Sequence, residues 1–76
     1  MEPEEFTTVD DDIENMFTYH PPKGNQTLRY ERLRAHGKHL AYLIVQSTPR
    51  SDEQKQALML LNLAIMSANA AIARHE

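Results

Sequence analysis

Residues 57–73 restrict the fold of this chain more than any other stretch. They include no charged residue, no glycine and no proline, and their large apolar side chains surround the helix axis. A helix that is apolar on all sides must be covered on several of them. Asn62, Ser67 and Asn69 interrupt the stretch, which is also short for a bilayer span, so no membrane partner is expected. Few other residues are available as cover, and the segment therefore predicts the centre of a homo-oligomer.

The length and the cysteine content point in the same direction. A chain of 76 residues forms one domain of the size at which disulfides, metals or oligomerisation commonly assist folding. Cysteine is absent, so no disulfide or thiolate metal site is available, and a reducing compartment is expected. The acidic N-terminus lacks the features of a signal peptide. We therefore expect a cytoplasmic protein.

The net charge of −3 hides a strong asymmetry along the chain. Residues 1–22 sum to −7, residues 23–50 to +5 and residues 51–76 to −1. The basic middle third is where an anion would bind. The alternative is that the acidic and basic segments pair with one another, within one chain or between chains.

The segment order predicts an all-α fold. Residues 1–12 are predicted to be an acidic, mobile N-terminus, and residues 13–76 a single helical-hairpin domain. A short helix is expected to start at residues 10–12, whose acids suit a helix start, and to continue through Phe17. Pro21 and the residues beside it then exclude helix.

Two long helices should follow. The first is predicted from Asn25, as its cap, to Ser47, with Gly37 placed for close approach of another helix backbone. Its core stripe comprises Tyr30, Leu33, Gly37, Leu40, Ala41 and Ile44. A second apolar patch, which asks for a neighbouring subunit, comprises Leu28, Tyr42 and Leu43.

The second long helix starts with a capping-box pattern. Ser51 and Gln54 are three residues apart, so that each side chain can reach the other's backbone amide. This helix is predicted from about Asp52 to near Arg74. Two helices of similar length joined by about four residues make an antiparallel hairpin.

Catalysis is poorly supported by the sequence, and no enzyme activity or cofactor is expected. There is no cysteine nucleophile, no phosphate-binding glycine loop and no nucleophile elbow. His36 and His39 share one side of a helix, but no third ligand converges on them, so no metal site is predicted.

Binding residues are easier to propose. Arg34 and Lys38 border the core stripe, where their charged heads can point into a cleft between subunits; the alternative is a solvated basic face. Tyr19 precedes two prolines on an extended segment, where it can stack on a nucleobase or pack against the helix entry instead.

Polar residues within the apolar helix suggest an oligomer interface. Asn62 and Asn69 are one heptad apart, and a buried amide at a repeated position pairs well with its counterpart on a related chain. Small residues nearby allow close helix approach. The predicted interface comprises Asn62, Asn69, Met66 and Ala68.

Several motifs together resemble a known family. They are Phe17-x-Tyr19-His20-Pro21, Gln26, Arg29-Tyr30-Glu31, Arg34-x-x-Gly37-Lys38-x-x-Ala41, Pro49-x-Ser51-x-Glu53 and the ending Met66-x-Ala68-Asn69-Ala70-x-Ile72-Ala73. Across roughly residues 13–74, this pattern resembles the phage anti-CBASS sponge family, whose helical hairpin domain also occurs in an anti-Thoeris sponge family.

The resemblance implies a homohexamer in the cytoplasm of an infected bacterium that binds cyclic oligonucleotides without cleaving them. It implies that Tyr19 stacks on the bases of a cyclic dinucleotide and that Lys38 contacts the ligand from an adjoining subunit. Cyclic trinucleotides are implied as a second ligand class, in separate pockets. We add Arg34 and His20 to the predicted site from their position and charge.

Two other functions remain open from the residues alone. The first is a helical-hairpin oligomer that presents its acidic N-terminus to a protein partner. The second is a nucleic-acid-binding regulator, suggested by the basic middle third. The overall acidity and the lack of a clear recognition helix argue against duplex nucleic acid as a partner.

Overall fold

The computed structural model describes residues 3–76, with side chains from residue 9 onward. This part of the chain forms three α-helices and no strand: α1 Pro3–Met16, α2 Gln26–Ser47 and α3 Asp52–His75. The predicted all-α class is therefore confirmed. The first helix begins earlier than the predicted residues 10–12, since proline is well suited to the first helical position. The proposed boundary at residue 12 stays a prediction.

The turn between α2 and α3 lies where the sequence places it. The Gln54 amide donates to Ser51 Oγ at 3.1 Å, which confirms Ser51 as the cap of α3. The capping-box pattern predicts that the Gln54 side chain binds the Ser51 amide. This contact does not form. The Gln54 Nε2 donates instead to Thr48 O and Thr48 Oγ1, both at 3.1 Å. Carbonyls at a helix C-terminus lack intrahelical partners, which explains this choice.

The start of α2 lies at the predicted residue but lacks the predicted capping hydrogen bond. Asn25 occupies the cap position, but its side chain makes no capping hydrogen bond. The Gln26 side chain, only 4% exposed, accepts a hydrogen bond from Lys23 N at 3.1 Å. Gly24 has a φ of +57°, in the left-handed region that favours glycine. This turn brings the extended segment back onto the hairpin.

Gly37 is buried in the seam between α2 and α3. A Cβ added to Gly37 would lie 2.9 Å from Ile65 Cγ1, so another helix does approach closely here, through a side chain rather than its backbone. Most of the predicted stripe of α2 is at least half-buried at this seam; Leu40 is exposed.

A single chain leaves much apolar surface uncovered. Within residues 9–76 no apolar side chain is fully buried, and Met59, at 72%, is one of several exposed on α3. The accessible surface is 6396 Å², whereas a compact monomer of 8.8 kDa would have about 4,800 Å². The radius of gyration is 16.6 Å, against about 11 Å for a compact chain of this length. The predicted excess of apolar surface is confirmed.

Helix α3 is long and apolar enough to cross a membrane when only length and composition are considered. This differs from the sequence-based expectation that the stretch makes a poor span. In the hairpin, α3 carries Asn62 and Asn69 on the side that flanks α2, and polar groups at mid-helix disfavour exposure to lipid.

Candidate ligand-binding furrow

Two adjoining hollows lie on one side of the α2–α3 seam. The first, which we call the tyrosine hollow, has a volume of about 440 Å³ and is lined by Met16, Thr18, Tyr19, His20, Tyr30, Arg34, Asn69, Ala70, Ala73 and Arg74. The second, the lysine groove, has a volume of about 300 Å³ and is lined by Arg34, Gly37, Lys38, Ala41, Leu58, Leu61, Asn62 and Ile65. Arg34 lines both, so the two form one furrow.

Three of the four predicted ligand-binding residues meet in the tyrosine hollow. Tyr19, His20 and Arg34 all line it, although they come from the segment before α2 and from α2 itself. Lys38 lies one helical turn beyond Arg34, in the lysine groove. The structure therefore brings Tyr19, His20 and Arg34 together and places Lys38 in the next compartment.

The segment that carries Tyr19 is held by a short chain of hydrogen bonds. Asn15 Nδ2 donates to Arg74 O at 3.0 Å, which ties the end of α1 to the end of α3. His20 Nε2 lies 2.9 Å from Asn15 O. The Tyr19 ring is 80% exposed, with its backbone outside any helix. Its position is thus fixed through neighbours, and its aromatic face stays open.

The contact of His20 defines its protonation pattern. A backbone carbonyl can only accept, so Nε2 carries the proton in the hydrogen bond to Asn15 O. Nδ1 is the ring nitrogen that this hydrogen bond does not use.

The cations of the furrow are exposed. Arg34 and Lys38 are both solvent-exposed, and in the part of the chain that the structure describes neither forms an ion pair. An exposed guanidinium next to an ammonium, one turn apart, can contact two phosphates of one ligand.

The predicted interface residues are distributed between the furrow and the surface. Asn69 lines the tyrosine hollow, and its Oδ1 is buried with no hydrogen-bond partner among the described residues. Asn62 lies exposed in the lysine groove. Met66 is exposed and Ala68 is half-buried. Their role between subunits stays a prediction, because a single chain does not test it.

An ionic contact that no sequence pattern indicates lies at the open end of the hairpin. Arg29 donates to both carboxylate oxygens of Glu76, at 2.7 Å for Nη1 and Oε2 and through Nη2 to Oε1. Gln26 Nε2 donates to the same carboxylate at 3.4 Å. The hydrogen bonds from Arg29, followed by that from Gln26, lower the pKa of Glu76 to about 2. No periodic or spacing signal links residues so far apart in sequence.

The furrow offers aromatic faces, cations and amides. The described part of the chain contains no group of three or more His, Asp or Glu side chains arranged for a metal ion. The residues present can hold an anionic, planar ligand by stacking and hydrogen bonds.

The described residues form an all-α helical hairpin that carries a cationic and aromatic furrow. More specifically, the family described as "Acb2/Tad1, hairpin domain" matches residues 10–73, and the chain belongs to this family. This is the anti-CBASS and anti-Thoeris sponge family, so the resemblance is confirmed; its proteins are sponge-type binders rather than enzymes. Neither the curated proteins nor the solved structures provide a match.

Proposed function

We propose that this protein is a phage anti-defence sponge that binds cyclic dinucleotides of CBASS immunity, such as cyclic GMP-AMP, and withholds them without cleavage. It acts in the cytoplasm of the infected bacterium. Cyclic trinucleotides are a second ligand class. The observation that carries the proposal is the tyrosine hollow, in which Tyr19, His20 and Arg34 of one chain meet, while Lys38 lines the separate lysine groove.

The chemistry of the furrow matches the two parts of such a ligand. A base stacked on an aromatic side chain contributes about 1–3 kcal/mol, and Tyr19 exposes its ring for this contact. The two phosphates carry negative charge, which the Arg34 fork and the Lys38 ammonium can neutralise. Sequestration needs no nucleophile, in agreement with the sponge-type binding of the family.

Self-association completes the proposal. The accessible surface of 6396 Å² exceeds that of a compact monomer by about 1,600 Å², whereas a standard interface buries about 800 Å² per partner. One chain thus has enough surplus for more than one neighbour, as a hexamer requires. We place Asn62, Asn69, Met66 and Ala68 in these interfaces, and Lys38 of one subunit on the ligand held by Tyr19 of the next.

Calorimetry with a panel of cyclic dinucleotides tests the site assignment. Tyr19→Ala should weaken binding by about 10- to 100-fold because the stacked base loses its platform, whereas Tyr19→Phe keeps the ring and should bind nearly as well as wild type. Lys38→Ala should also weaken binding. Lys55→Ala is the matched control, since Lys55 is an exposed lysine on α3 outside the furrow. Unchanged affinity in both Tyr19→Ala and Lys38→Ala would end the assignment.

The fate of the ligand separates a sponge from a phosphodiesterase. The complex is incubated, heated to unfold the protein, and the released nucleotide is analysed by chromatography. The proposal predicts full recovery of the intact ring. Accumulation of linear product that depends on the protein would contradict it.

A further inference from the structure

Helix α1 presents an apolar stripe that its own hairpin covers only in part, at Met16. Val9, Ile13 and Met16 follow one another at four- and three-residue spacing, so they share one face, and each is about half exposed. Exposed acids border this stripe on both sides, Asp12 on one and Asp10 on the other, at 100° per residue. The helix is joined to its own hairpin at its C-terminal end, where Asn15 bonds to Arg74 O.

A hollow on the hairpin has the opposite pattern. It has a volume of about 430 Å³, with Leu33 and Ile72 as its apolar floor and with Arg29, Arg32 and His36 around them. We call it the basic hollow. Arg29 and His36 are seven residues apart and lie on the flank of α2 opposite to Arg34 and Lys38, as the helical repeat of 3.6 residues requires. The basic hollow is therefore separate from the furrow.

We propose that α1 of one copy docks into the basic hollow of a neighbouring copy. Asp12 beside the stripe and Arg32 beside the floor give the two apolar surfaces opposite charge, whereas Arg29 is already paired with Glu76. Docking within one chain is disfavoured by position, because Met16 lines the tyrosine hollow and its α1 thus joins the hairpin on the other side of the seam.

Charge favours a second copy of this chain as the occupant. Residues 1–22 carry −7 and residues 23–50 carry +5, so every copy supplies both halves of the contact. Each copy then gives one α1 and receives another, either reciprocally within a pair of copies or head-to-tail around a closed ring. This inference rests on the self-association proposed above and adds its geometry.

Inter-chain cross-linking tests the proposal in a chain that has no cysteine of its own. Two variants with different tags, Ile13→Cys and His36→Cys, are co-expressed and treated with a short bis-maleimide. Docking between copies predicts a linked pair that carries both tags. Gln56→Cys in place of His36→Cys is the matched control, because it is exposed on α3 about 24 Å along the helix from Ile72; its yield should be at least tenfold lower.

Three results would overturn the proposal. The first is a native mass spectrum that shows oligomers while the His36→Cys and Gln56→Cys yields are equal. The second is a link within one chain when a double Ile13→Cys/His36→Cys variant is co-expressed with excess wild type. The third is a monomer, which would also end the proposed self-association.

A charge exchange separates specific docking from chance proximity. Asp10→Lys together with Asp12→Lys should reduce the link to His36→Cys severalfold, and Arg32→Glu on the receiving copy should restore part of it. Glu53→Lys, which alters an exposed acid on α3, should change nothing. Equal yields in all of these variants would show that the charges do not select this contact.

Discussion

The two ends of the hairpin are held by different kinds of contact. At the turn, Ser51, Gln54 and Thr48 satisfy one another within seven residues of chain. At the open end, Asn15 bonds to Arg74 O and Arg29 binds Glu76, across 59 and 47 residues. The turn is therefore specified locally, whereas the open end, which carries the tyrosine hollow, exists only once the whole hairpin has folded.

This difference suggests a division of roles. Local contacts at the turn fix the register of α2 against α3. Further along the seam, the packing of Gly37 against Ile65 maintains the same register. The open end then positions the segment with Tyr19 and His20 against the two helices. Changes at the turn should affect stability, while changes near the furrow should affect ligand binding.

The largest effect is expected at Gly37, between the two ends. Gly37→Ala forces a Cβ against Ile65 Cγ1, which is one bond from its own Cβ and cannot swing away. Overpacking costs about 1–3 kcal/mol, which should outweigh the helix-propensity gain of about 1 kcal/mol. In an Ile65→Ala background the clash is absent and the same substitution should stabilise.

The cycle compares wild type, Gly37→Ala, Ile65→Ala and the double variant by denaturant unfolding at one chain concentration. We expect a coupling free energy of about 2 kcal/mol between the two substitutions. Equal effects of Gly37→Ala in both backgrounds would mean that this contact does not keep the two ends in register.

The next effect is at the turn. Ser51→Ala removes the cap of α3 and should lower the free energy of unfolding by about 1 kcal/mol. Ser51→Asp retains an acceptor for the Gln54 amide and serves as the control. Ligand affinity should stay unchanged in both variants, since Ser51 lies at the end away from the tyrosine hollow. If calorimetry shows that Ser51→Ala weakens ligand binding, the turn and the open end do not have separate roles.

The smallest effect is at the open end, where Glu76 is partly exposed and solvent screens its pair with Arg29. Because the folded pKa of about 2 lies below the ordinary value of 4.5, the pair contributes stability above pH 4.5 and loses it as the pH falls through about 2. Glu76→Gln should therefore be slightly less stable at pH 6, with the difference disappearing towards pH 2. Thermal melts across this range check the sign, and a constant difference would contradict it.

The elements with local signals were predictable from the sequence. The bounds of α2 and α3 followed from the apolar period, from the prolines and from the Ser51 cap. The close approach at Gly37 followed from its place in the stripe, although its partner is the Ile65 side chain and not a helix backbone. Each of these signals lies within a few residues of the feature that it predicts.

The remaining features depend on contacts distant in sequence or on a choice among near-equal partners. Glu76 gave no sign that it binds Arg29, because its partner is on another helix. Gln54 has several acceptors within reach and uses Thr48 rather than the Ser51 amide. For the furrow, the sequence named Tyr19, His20, Arg34 and Lys38, but only the fold divides them between two compartments.

Native mass spectrometry of the free protein and of the protein with a cyclic dinucleotide tests the central claim most directly. The expected result is an oligomer with the mass of six chains. With the ligand present, its mass should increase by whole multiples of the ligand mass, because each site lies between two subunits. A monomer at micromolar concentration that gains no ligand from any cyclic dinucleotide would contradict it.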